Sequence, residues 1–185
     1  GVVLQYKNNL LDAGVMFNTV EFDAPVLRNR TAYNQFVFDG VENKNAGLFL
    51  NYTIQNLTFF SEVSKSINGG GAYIGGILWS LSQKLDLAFS HRKFDRDFYS
   101  FYSNAFAENS TPQNESGLYW GSKYRFNQKI SLAGYVDLFH FPWLRYRSYA
   151  PSNGHEWLLR FTYQPSRKVL IFIQGREESK DRNIA

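Results

Sequence analysis

The sequence predicts an all-β fold, an antiparallel up-and-down transmembrane β-barrel with about ten strands in this chain. Three observations carry that prediction. Apolar and polar residues alternate with period two through most of the chain, while helical periodicity is scarce. The candidate strands run to about ten residues, against the five or six usual in soluble sheets. The connections alternate between short and long, so that one end of an up-and-down sheet carries tight turns and the other carries large loops.

Taken in order, the first strand is expected over 2–8, the second over 12–22, and a short turn near Asn8 joins them. A long connection, 23–44, leads to strands at 45–54 and 57–66, with Gln55 and Asn56 between. The fifth strand, 71–81, carries the paired glycines of AYIGGILWS, which weaken a strand. The sixth, 85–96, sets Leu85, Leu87 and Phe89 against Asp86, Ala88, Ser90 and Arg92. A second long connection, 97–116, includes AENSTPQNES, which is polar and broken by Pro112. In the seventh strand, 117–126, Leu118, Trp120, Tyr124 and Phe126 share one face, and Tyr119, Gly121, Lys123 and Arg125 share the other. The eighth, 130–141, alternates in the same way. After a third long connection, 142–154, come strands at 155–164 and 168–178, the last of them apolar on both faces in VLIFIQ. Ten residues at about 3.3 Å each, tilted by about 40°, project to about 25 Å, the height of the apolar band of an outer-membrane barrel.

The 185 residues suffice for one barrel domain or barrel segment, 1–185. Cysteine is absent, which excludes disulfides, thiolate metal sites and Cys nucleophiles. A net charge of +4, without long runs of one sign, gives no electrostatic support for nucleic-acid binding. Aromatic residues reach 18%, yet no apolar run approaches the length of a membrane helix. The chain opens inside an apolar run, GVVLQY, without an initiator Met, as expected of a mature chain or a piece of something longer.

Glu62, Asp86, Arg92, Lys123, Arg125, Asp137, Arg160 and Arg176 fall opposite the apolar positions and are expected to line the lumen, together with Gln174. Charges of both signs there can pair across strands and fill a narrow barrel, or line water in a wide one. Trp120, Phe141, Trp143, Tyr146 and Trp157 are the candidates for the membrane-interface belt, where an apolar ring and a polar tip are both accommodated. In DLFHFPWLRYR, residues 137–147, the strand is expected to leave the membrane, with Pro142 ending the ladder and Arg145 and Arg147 placed to meet either lipid or lipopolysaccharide anions or the neighbouring loops. No metal or cofactor site is expected, because His91, His140 and His155 lack ligand spacing. A hydrolase of the omptin type would need an Asp–His pair. Asp137 and His140, three residues apart on a strand, point to opposite faces, and Ser90 beside His91 fails by the same parity. No catalytic residue is expected.

From Gly117 onward the chain resembles the C-terminal barrel region of Bacteroidota outer-membrane proteins that carry N-terminal helix-hairpin-helix modules of the competence type. The resemblance rests on DLFHFPWLRYR, the APSNGHEW loop after it, and the closing KDRN. It covers a little over a third of the chain and implies a barrel of more than ten strands in the bacterial outer membrane, of which this chain is a segment. The ending RNIA, without a terminal aromatic strand, agrees with a segment. The helix-hairpin-helix part, through which the group is related to DNA uptake, has no counterpart here, so no residue of this chain inherits DNA binding.

The expected function is a channel, transporter or uptake/secretion scaffold in the outer membrane. Expected partners are outer-membrane lipid or lipopolysaccharide, other barrel segments or membrane-complex subunits. The alternative is a soluble or loop-mediated binding barrel; a hydrolase of the omptin type ranks below both.

Overall fold

Hairpin after hairpin, the computed structural model lays ten strands into one antiparallel sheet; it describes residues 1–67 and 69–182. The strands are β1 (Val2–Lys7), β2 (Leu11–Val26), β3 (Gly40–Ile54), β4 (Leu57–Ser66), β5 (Gly71–Ser80), β6 (Leu85–Phe94), β7 (Glu115–Arg125), β8 (Ile130–Phe141), β9 (Ser152–Ser166) and β10 (Val169–Lys180). Their spatial order is their chain order. No helix among the described residues is long and apolar enough to cross a membrane.

Polar side chains close the turns at one end. The Asn8 carboxamide oxygen accepts the backbone N–H groups of Leu10 and Leu11, that of Asn127 accepts those of Lys129 and Ile130, and the Ser82 hydroxyl oxygen accepts those of Lys84 and Leu85. Each satisfies donors that the ladder leaves over, which is why Asn and Ser recur in tight turns. At the other end lie three long connections, 27–39, 95–114 and 142–151, and one shorter one between β4 and β5. The expected alternation of loop length by end is therefore present.

The sequence leaves open whether the ten strands close on themselves or form a segment of a larger barrel; the sheet is open, with β1 and β10 both free edges that do not pair with one another. The connection expected over 23–44 is shorter, because β2 continues to Val26 and β3 starts at Gly40, where Val26 pairs with Gly40 across an irregular register. Similarly, β7 begins at Glu115 and β9 at Ser152, both earlier than the apolar alternation indicated.

The sheet curls so strongly that Phe60 of β4 and Glu156 of β9 line one cavity. Its two faces have opposite character. Outward lie Val15, Phe17, Leu48, Leu50, Phe59, Val63, Trp120, Val136, Leu138, Leu159 and Phe161, all exposed. Inward, buried residues are mostly polar: Asn43, Asn45, Ser90, Arg92, Glu115, Asp137, Ser152 and Glu156, while the buried apolar side chains among the described residues are Phe94, Phe139 and Phe141 of the sheet and Phe98 of the 95–114 connection.

Candidate functional site

The inward face is built from cross-strand register. Asp86 pairs with Lys123, Lys123 with Ala133, Ala133 with Arg160, and Arg160 with Gln174. Since side chains alternate strictly along a strand, these positions share one face. Arg92, Glu62, Arg125, Asp137 and Arg176 share it as well, by the same counting through Ile74, Ser131, Glu156 and Leu158. All nine polar residues singled out in the sequence, Gln174 included, thus lie on one face.

At its centre Arg92 is buried between two carboxylates. Its Nε donates to Glu115 Oε1 at 2.6 Å, and its two terminal nitrogens donate to the two Asp137 oxygens at 2.9 and 3.0 Å. The fork of donors matches the carboxylate, so burial leaves no polar atom of the trio without a partner. Gly117, directly across from Arg92, makes room: a Cβ there would sit on the guanidinium. Glu115 also accepts the Glu108 N–H, at 3.0 Å to Oε2, which ties the 95–114 connection to the sheet.

A second network flanks the first. Arg176 donates to Glu156 Oε1 and Oε2 at 3.0 and 2.9 Å, and Tyr135 O–H donates to Glu156. Lys180 reaches Glu108 at 2.8 Å and Glu178 at 2.5 Å. Toward the tight turns, Arg125 pairs with Asp86, which also accepts from the Ser80 hydroxyl, and Arg160 donates to Gln174. Glu62 and Lys123 form no ion pair among the described residues.

The 95–114 connection crosses this face as a strap. Phe106 lies 4.7 Å from the Arg92 guanidinium carbon and 5.3 Å, edge to face, from the Tyr119 ring; Tyr119 in turn stands 5.4 Å from Tyr135. The strap is held at its feet by Ser66, whose hydroxyl accepts the Tyr99 N–H, and by Asn114, which exchanges two hydrogen bonds with the Trp143 backbone at 2.8 and 3.0 Å. Phe106 borders two cavities, one of about 400 Å³ that includes Phe60, Tyr119 and Glu156 and one of about 470 Å³ that includes Met16, Glu62 and Phe98.

The candidates for the interface belt divide. Trp120 and Trp157 are on the outward face, Trp157 donating its indole N–H to Glu177, and Tyr146 is exposed on the 142–151 connection. Phe141 and Trp143 depart from the expectation. Phe141 shares the inward face of Asp137, is fully buried, and carries the Arg145 guanidinium on its ring at 3.6 Å. Trp143 packs edge-on against Phe36 and donates its indole N–H to the Ala32 carbonyl at 2.9 Å. Pro142 breaks the strand as expected, but the chain then turns back over the sheet end instead of continuing outward. Arg145 is drawn into that packing, and burial holds its guanidinium below its ordinary pKa. Arg147 is the exposed member of the pair.

No group of three His, Cys, Asp or Glu residues among the described residues could hold a metal ion. Asp137 is engaged by Arg92, while His140, on the opposite face, meets Asn153 through Nδ1 at 2.8 Å, so the two form no dyad. Asp95 is occupied in accepting the Gly71 N–H. Asn183, within the closing KDRN, lies outside the described residues.

Several members of the site escaped the sequence. Glu156 shares the parity of Arg160 and was legible by that signal. Glu115 was not, because the apolar alternation starts two residues later. Phe106 and Glu108 belong to a connection without a period. Comparison with family models, with curated proteins and with solved structures finds no match to this chain.

Proposed function

We propose that this chain is a strand-forming segment of a membrane-spanning β-barrel in the outer membrane of a bacterium, as its resemblance to the Bacteroidota proteins implies, serving as a channel, transporter or uptake/secretion scaffold. One observation carries the proposal: the sheet is inside-out. A curled sheet in water buries its apolar face and wets its polar one. Here charged groups are buried on the inner face and an apolar surface is presented outward, the arrangement a hydrocarbon solvent favours. Strands of 10 to 12 residues in β4–β8 suit the thickness of that solvent. Toward the tight turns, Tyr52, Trp79, Tyr124 and Tyr163 share the outward face, where an interfacial aromatic belt belongs. In this reading the tight turns are periplasmic and the three long connections face outside. The free edges of β1 and β10 pair with further strands, since unpaired backbone groups in lipid cost several kcal/mol each.

The test is expression in a Gram-negative host of the chain together with the further strands that cover its edges, followed by carbonate and detergent extraction. The protein is expected in the outer-membrane fraction and to leave it only with detergent. Recovery of folded protein in the detergent-free soluble fraction overturns the proposal.

A further inference from the structure

We propose that the cavity under Phe106 is a binding site for a small organic cation, an amine carrying an apolar group. The cavity is on the inner face whether or not that face encloses a membrane lumen, so this inference extends the reading above without depending on it. Its walls combine two features. Phe60, Phe106, Tyr119 and Tyr135 supply aromatic surface, and Asp137 and Glu156 supply carboxylates, around about 400 Å³. That volume falls within the range of small-molecule sites.

The charge balance favours a cation. The ion-paired networks around the cavity hold Glu108, Glu115, Asp137, Glu156 and Glu178 against Arg92, Arg176 and Lys180, five acids to three bases, an excess of acids that Arg145, which also interacts with Glu115 and Glu108, reduces without removing. Asp137, Glu156 and Glu178 stand directly side by side on β8, β9 and β10. Like charges in that position repel, and a bound cation would relieve the repulsion that Arg92 and Arg176 offset only in part.

The rings point the same way. Their faces carry negative potential and attract cations within about 6 Å, and Phe106 already accepts the Arg92 guanidinium at 4.7 Å. Donation of the Tyr135 O–H to Glu156 increases the electron density of that ring. A neutral ligand of the same shape would gain the apolar contact but not the electrostatic one. An anion would meet the excess of carboxylates.

The probe is benzyltrimethylammonium, titrated calorimetrically into the chain refolded in an uncharged detergent, with benzyl alcohol and benzoate as neutral and anionic counterparts and empty micelles as blank. Saturable binding of the cation, with neither counterpart binding comparably, is expected. Phe106→Leu should weaken it by between about two- and thirtyfold. Phe106 stands half-exposed on a connection, so the variant is expected to fold, and circular dichroism checks this. Glu156→Gln should weaken binding too, whereas Trp120→Ala, on the other face, should leave it unchanged. Equal binding of the cation and benzyl alcohol, no saturation with the cation, or full affinity in folded Phe106→Leu overturns the inference.

Discussion

Arg92 shows what a single residue does in this fold. Among the described residues it is the only cation in contact with two buried carboxylates, and all three side chains have almost no access to solvent. Such a trio contributes little net stability when intact, because desolvation offsets attraction; removing one member leaves uncompensated charge. Arg92→Met should therefore cost about 3–5 kcal/mol, read as a shift of the urea midpoint in detergent or vesicles. The triple variant Arg92→Met, Glu115→Gln, Asp137→Asn should cost less than the single one. A triple variant worse than the single would show that the trio acts through its ion pairs and not through charge balance. Parity made Arg92 and Asp137 legible in the sequence as facing groups, but not as partners, because register and curl decide which inward charges meet. Phe139 illustrates the same limit: as a member of an aromatic run it reads like an interface residue, yet it is buried inward, where Gly154 opposite leaves the space for its ring.

At the scale of elements, the three long connections behave as one body. Trp143 links 142–151 to 27–39 through Ala32 and Phe36, and to 95–114 through Asn114. Arg96 closes the join with its guanidinium 4.3 Å from the Phe36 ring and 5.2 Å from that of Trp143. Trp143→Ala removes the common contact while leaving every strand ladder intact. Faster tryptic cleavage after Arg28, Arg30 and Arg96 is expected, with unchanged strand content; cleavage at the wild-type rate would mean that the connections are held independently. The strands themselves were largely readable, down to β5 with its two glycines and the apolar β10, because period-two alternation and Asn or Ser turns are local signals. The strand ends were less so. β2 and β3 run past the apolar band into polar residues such as Asn43 and Asn45, where hydrogen bonding between those side chains, at 2.7 Å, takes the place of hydrophobic patterning.

For the whole molecule the decisive question is which solvent the outward face meets, and one strand offers an internal control. On β9, Arg160 points inward and donates to Gln174, while Leu159, one residue earlier and at the middle of the strand, points outward and is half exposed. Moving the arginine by a single position changes its surroundings completely. If the outward face meets hydrocarbon, Leu159→Arg places a guanidinium near the bilayer midplane and should destabilise by about 2–4 kcal/mol. If that face meets water, the same substitution replaces an exposed leucine with a soluble side chain, and its effect should stay within about 0.5 kcal/mol while solubility improves. The inward Arg160→Leu separates this from any general intolerance of β9: it loses the hydrogen-bonded pair with Gln174 and the guanidinium contact on the Phe172 ring at 4.9 Å, together about 1–2 kcal/mol, under either solvent. Unfolding of both variants in vesicles, compared with wild type, distinguishes the cases. A large penalty at 159 beside a small one at 160 is the outcome expected of a sheet whose outer surface is solvated by lipid.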